Sequence, residues 1–146
     1  MEGGCHCGAV RYRITADPIY VNACHCRDCQ KLTGSAFAVN AMIEDDRIEL
    51  LEGAPVVDAE GCFRCRRCNV LLWASHPMFS ERVRFLRAGT LDESERIVPD
   101  GHFFVRSKHP WVTLPEGAVT FDTLPGEGDR VFDDAQQARV ERAMAS

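Results

Sequence analysis

The chain has 146 residues, 45% of them hydrophobic, a length and composition that suit one globular domain over 1–146. Its formal net charge is −5 with a pI near 5.5, which argues against nucleic acid as the main partner, because phosphate partners call for basic excess. No apolar run approaches the ~20 residues of a membrane span, and the opening Met-Glu-Gly-Gly-Cys has neither the basic nor the apolar region of a secretory signal. A cytoplasmic, reducing location is the expectation, with no membrane partner, and there clustered cysteines more often mean metal or redox chemistry than structural disulfides.

In chain order, the first feature is "GGCHCGAVRY", with Cys5 and Cys7. The run "AVRYRI" follows, in which Val10, Tyr12 and Ile14 alternate with Arg11 and Arg13 as in a half-buried strand. Next comes "ACHCRDCQKLTG", which crowds Cys24, Cys26 and Cys29 into six positions. "SAFAVNAMI" and "DRIELLEG" read as strands, the second ending at Gly53, and Gly53-Ala54-Pro55 marks a turn. "GCFRCRRCN" then brings Cys62, Cys65 and Cys68, so all eight cysteines fall in three groups. "VLLWAS", "RVRFLRAG" and "GHFFVRS" read as further strands, with turns at Pro99-Asp100-Gly101 and Pro125-Gly126-Glu127-Gly128. "FDDAQQARVERAMA" predicts one short C-terminal helix, with Asp133 as N-cap, Phe132 before it, and Ala135, Ala138 and Val140 as a weak apolar face. The fold class is therefore mostly β with a short C-terminal helix.

Ligand counting gives the cysteines a purpose. Zinc takes four ligands in a tetrahedron, and C-x-C or C-x-x-C spacing lets two sulfurs reach one ion where the backbone turns sharply. Cys5 and Cys7 supply half of a closed site, and Cys65 and Cys68 supply the other half. Asn69, just after the second pair, suits the left-handed turn such a knuckle needs. A closed site of this kind would tie the N-terminus to the middle of the chain. Cys24, Cys26 and Cys29 are one ligand short of a tetrahedron, and three ligands with a vacancy is the arrangement of a catalytic metal. Two zinc ions per chain are the expected cofactors. Other readings stand beside this one. Cys62 could complete a second closed site with Cys24, Cys26 and Cys29, or a C-x-x-C pair could serve redox chemistry, although the βαβ context of a thioredoxin is missing. His6 and His25 lie inside the motifs and are expected to point away from the metal.

The chain resembles the glutathione-dependent formaldehyde-activating enzymes, grouped with the centromere protein V-like domain. The matching pieces are "GGCHCGAVRY", "CHCRDCQKLTGSAF", the C-x-x-C of "FRCRRCNVLL", "AGTLD" and "HFFVRSKHPWVTLPEG". The resemblance implies a zinc-binding β-tent-like fold of small sheets. It also implies a structural zinc on Cys5, Cys7, Cys65 and Cys68, and a second, catalytic zinc on Cys24, Cys26 and Cys29. The implied reaction is addition of glutathione to formaldehyde to give S-(hydroxymethyl)glutathione, a carbon–sulfur lyase reaction run in reverse, with a small-molecule thiol such as glutathione as partner. Members of this family usually carry an aromatic residue before the last C-x-x-C and Gly after it; here Arg64 and Asn69 stand there, and Cys62 is an additional thiol. Zinc would favour the thiolate of an incoming thiol whose free pKa lies near ~8.5. Arg27 and Lys31, by proximity, and Lys108 and His109, by resemblance, are candidates to hold its carboxylates, each weighed against a plain surface charge. Trp111 is read as core or pocket wall. The rival function is a non-enzymatic, zinc-stabilised binding module, and the fourth ligand at Cys24, Cys26 and Cys29 is what separates the two.

Overall fold

The alternation around Tyr12 explains the smaller of two sheets. Val10, Tyr12 and Ile14 are buried while Arg13 is exposed, so one face of the strand builds core and the other meets water. The structure is a computed structural model and describes residues 1–146. Its first sheet has three strands, β1 (Glu2–Gly4), β2 (Arg11–Ile14) and β5 (Ile48–Glu52), in the order β1-β2-β5. Both pairings are antiparallel.

The second sheet has seven strands. They are β3 (Tyr20–Cys24), β4 (Ala38–Glu44), β6 (Val56–Val57), β7 (Cys62–Arg64), β8 (Leu71–His76), β9 (Ser80–Arg87) and β10 (Gly101–Phe103), in the order β10-β3-β4-β9-β8-β7-β6. Only β10 and β3 run parallel. One face of this sheet meets the first: Val21, Ala41, Ile43, Leu72, Trp73 and Leu86 pack with Val10, Tyr12 and Ile14. The other face carries Tyr20, Met42 and Val83, packed with Ile19 and Val140. Val140 belongs to α2 (Asp134–Ala145).

β3 explains its own obscurity in the sequence. All five of its residues are buried, because both of its faces are covered and it has a neighbour on each edge. A strand covered on both sides loses the alternation that marks a half-exposed one. A short helix, α1 (Arg27–Thr33), follows directly and was not predicted. Its seven residues carry one fully buried side chain, Gln30, too few for a helical period to show.

Two expectations are corrected. "GHFFVRS" does not continue as a strand: β10 stops at Phe103, and Phe104 takes a left-handed φ of 56°. The chain then turns through a 3-10 segment at Val105–Ser107. Phe104 and Val105 donate their N–H groups to Thr123 and Phe121, so residues near 119–123 run beside β10 and cover its edge. In α2, Asp133 is the N-cap and forms a reciprocal capping box with Gln136. Ala135, however, is exposed; the inward face runs through Gln136, Arg139, Val140 and Ala143. The fixed point of that face is polar as well as apolar, since Arg139 donates to both oxygens of Glu44 on β4 at 2.9 and 2.7 Å.

This ion pair makes the docking of α2 pH-dependent. Burial alone pushes the Glu44 carboxyl up, but the hydrogen bonds from Arg139 hold it below the ordinary glutamate value. A carboxylate held below its unfolded value adds stability above the ordinary range near 4.3. That contribution is lost as pH falls from there through the folded-state value. Glu44→Gln is therefore expected to cost about 1–2 kcal/mol at neutral pH. The difference between denaturant melts of wild type and variant should begin to shrink as pH falls below about 4. A constant difference down to pH 3 would mean that the cost does not come from the ionised pair.

Candidate metal centres

Two turns of similar design face each other. Cys5 and Cys7 lie in the connection from β1 to β2, and Cys65 and Cys68 in the connection from β7 to β8. In the first, the Cys5 N–H donates to Val10 O and the Gly8 N–H to Cys5 O. In the second, the Cys65 N–H donates to Val70 O and the Asn69 N–H to Cys65 O. Each turn closes on a left-handed residue, Gly8 at φ 81° and Asn69 at φ 63°. Gly takes this conformation freely and Asn better than most side chains, as expected for position 69.

The four sulfurs converge. Cys5 and Cys7 Sγ are 3.6 Å apart, Cys7 and Cys65 Sγ 3.7 Å, and all four lie within 4.8 Å of one another. Sulfurs held tetrahedrally at about 2.3 Å from one ion stand about 3.8 Å apart. The spacing therefore fits zinc. Backbone donors prepare the ligands: Val10 N–H reaches Cys5 Sγ at 3.3 Å, and the N–H groups of Val70 and Cys7 hold the Cys68 thiol down to about 6. Cys5 and Cys65 are buried, while Cys7 and Cys68 are half-buried.

The second cluster sits at the end of β3. Cys24 is its last residue, Cys26 is the N-cap of α1, and Cys29 lies in the first turn. Their sulfurs also lie within 4.8 Å of one another, and no fourth cysteine, histidine or carboxylate joins them. Cys26 Sγ accepts the Cys29 N–H at 3.3 Å, so the sulfur does the work of a capping oxygen. The Cys29 thiol hydrogen-bonds to Cys24, which lowers Cys24 to about 6 and pushes Cys29 up. A cluster that already favours one thiolate is chemically suited to a thiophilic cation.

The surroundings hold this cluster rigidly. Gln30 is buried, and its Nε2 donates to His25 O at 2.9 Å and Ser107 O at 3.0 Å. Arg27 donates to Gln30 Oε1. Gly34 closes α1 in the left-handed conformation. His25 is fully buried, packs at a tilt against the Phe37 ring, and meets His102 with Nε2···Nδ1 at 3.1 Å. Burial, with His102, Lys108 and His109 nearby, lowers its pKa to about 4, so the ring is neutral at physiological pH.

The other sequence candidates fall out differently. His25 belongs to neither sulfur group, and His6 is exposed. Cys62 also belongs to neither. It stands on β7, four strands from β3. At about 4.8 Å per strand that is about 19 Å, too far to complete the Cys24 cluster. Lys31 is exposed. Lys108 is engaged by the carbonyls of His109 and Val112. His109 stacks on Trp111, which is 74% exposed and so is not core. The residue that sequence reasoning missed is Arg87, at the end of β9, whose charge also helps to lower the Cys24 thiol. No sequence motif marks it, because only strand register brings it to this site.

A mostly β fold carrying two cysteine clusters that could each hold a metal ion defines the class of small cysteine-rich β domains. The chain belongs to the glutathione-dependent formaldehyde-activating enzyme family, whose model matches residues 1–107. All seven clustered cysteines lie inside that match. A Halomonas elongata protein, named provisionally as a glutathione-dependent formaldehyde-activating enzyme, is 29% identical over 126 residues, covering 78% of this chain and 80% of that one. A Talaromyces marneffei protein with the same provisional name is 27% identical over 125 residues, covering 77% and 66%. A Rhodobacter sphaeroides crystal structure shares the fold, with a TM-score of 0.50 at 20% identity over 64% of this chain and 89% of that chain.

Cys62→Ser is expected to leave zinc content and melting temperature at wild-type values. Cys65→Ser should remove one zinc per chain and destabilise the fold by about 3 kcal/mol or more. Elemental analysis with thermal melts checks both. Loss of zinc in Cys62→Ser would overturn the ligand set.

Proposed function

We propose that the protein is a zinc-dependent enzyme of the carbon–sulfur lyase type, joining a small thiol such as glutathione to a small aldehyde such as formaldehyde. The observation that carries this reading is the cluster of Cys24, Cys26 and Cys29, which offers three sulfurs and no fourth protein donor. The family match over residues 1–107 supports the choice of thiol and aldehyde. Cys5, Cys7, Cys65 and Cys68 would hold a structural zinc, and Cys24, Cys26 and Cys29 the second. Three ligands and a vacancy is the arrangement of catalytic rather than structural zinc. We further place the chain in the cytoplasm, where eight unpaired thiols are chemically at home; no helix is long and apolar enough to cross a membrane.

The net reaction forms a bond between thiol sulfur and aldehyde carbon, and the thiol proton ends on the new hydroxyl oxygen. Zinc at the second cluster would supply the charge that favours a thiolate at neutral pH. The chain's own residues provide the frame. The Cys29 N–H fixes Cys26 Sγ, and the Gln30 side chain pins the Cys24–Cys29 turn to the segment around Ser107. Neutral His25 adds no competing positive charge next to the sulfurs. A zinc-stabilised binding module is the alternative, and it requires a fourth protein ligand that this cluster does not have within reach.

Cobalt in place of zinc reports directly on sulfur coordination. Adding glutathione is expected to change the cobalt spectrum of the wild type and to leave that of Cys26→Ala unchanged. Incubation of the zinc-loaded protein with glutathione and formaldehyde should accelerate S-(hydroxymethyl)glutathione formation. A spectrum indifferent to every thiol would favour the binding module; one that answers another thiol but not glutathione would keep the site and discard this substrate.

A further inference from the structure

Two buried side-chain nitrogens lack a hydrogen-bond partner in the whole chain, and both lie at the three-cysteine cluster. One is His25 Nδ1, between two of the cysteines in sequence. The other is Arg87 Nη1. Leaving a buried charged donor unpaired is costly, so such an atom points to a partner that arrives from outside the chain.

Strand register fixes where Arg87 stands. It pairs with Asn40 across β9 and β4, and Asn40 pairs with Asn22 across β4 and β3. Cys24 pairs with Ala38, two residues from Asn40. Paired residues share a face, and so do residues two apart on one strand. Cys24, Asn22, Asn40 and Arg87 therefore share one face at one end of the sheet. Asn40 Nδ2 donates to Asn22 Oδ1 at 3.2 Å, so the two amides engage each other. The charge of Arg87 also acts on Cys24, more weakly than the hydrogen bonds from Cys29 and Cys26 and the effect of burial. Nη1 makes no hydrogen bond to a cysteine sulfur.

The other cations near the cluster are engaged or exposed. Arg27 is bound to Gln30, Lys108 to two loop carbonyls, and Lys31 faces solvent. We propose that Arg87 Nη1 receives a carboxylate oxygen of the thiol that enters the Cys24/Cys26/Cys29 site, and so makes that site select an acidic thiol over a neutral one. This rests on the reading of the cluster as a thiol-binding centre. A guanidinium suits the role because it stays charged at any working pH and presents fixed donors to a carboxylate.

The test compares glutathione with its diethyl ester, which keeps the thiol and the peptide but masks both carboxylates. Cobalt-loaded wild type, Arg87→Gln and Arg87→Lys are titrated with each, and the spectral change gives an affinity. Wild type is expected to bind glutathione about tenfold or more tightly than the ester. Arg87→Gln should lose that preference while its affinity for the ester changes by less than about twofold, and Arg87→Lys should retain part of it. Equal weakening for both thiols in Arg87→Gln would overturn the proposal, because it would place the effect on the metal or the fold. Should Arg87→Gln fail to fold, the wild-type comparison still decides: equal affinities overturn the carboxylate contact and leave the thiol-binding reading standing. A wild type silent to both thiols overturns the two together.

Discussion

The meeting of Cys5 and Cys7 with Cys65 and Cys68 is the constraint on which the rest depends. It joins segments 58 residues apart in the chain, with sulfurs in mutual contact at 3.6–3.7 Å. One pair leads into β2 of the small sheet, and the other into β8 of the large one. The shared core of Tyr12, Trp73 and Leu86 lies between the same two sheets. A four-thiolate ion at this joint would fix their relative position and add its binding free energy to that of a modest core. Two turns closed by left-handed residues bring the four sulfurs together.

The second cluster uses different parts to reach a different end. β3 is buried on both faces and delivers Cys24 from a rigid strand, while α1 delivers Cys26 and Cys29 from its first turn. A strand end and a helix start, joined by His25 and Cys26, bring three sulfurs together with no fourth cysteine, histidine or carboxylate beside them. Gln30 locks the junction to the segment at Ser107 through hydrogen bonds from its side chain. One site is complete in protein ligands and distant in sequence; the other is incomplete and local. Structural and catalytic zinc differ in this same way.

Much of the site was legible in the sequence because ligand spacing is short-range. C-x-C and C-x-x-C place sulfurs within one turn of each other whatever the fold, and the left-handed role of Asn69 followed from its side chain. The alternation of Val10, Tyr12 and Ile14 was legible for the same local reason. β3 was not, since burial on both faces erases alternation, and α1 was not, since seven residues are too few for a helical period. The early end of β10 depends on Phe104 bonding to Thr123, a partner no local pattern names. Trp111, read as core or pocket wall, is not core: it is exposed and stacked on His109. Arg27 and Lys108, the cations that proximity and resemblance suggested, are held by Gln30 and by loop carbonyls. Arg87 comes to the cluster only through the pairing of β9 with β4 and β4 with β3, which is tertiary information.

The central claim is an inequality between the two centres: four sulfurs from the chain at one, three at the other. X-ray absorption at the zinc edge of the fully loaded protein measures it directly. The account predicts a mean sulfur number midway between three and four, with a light-atom ligand making up the remainder, rising to four when glutathione is added. Four sulfurs per zinc before any thiol is added, unchanged afterwards, would contradict it.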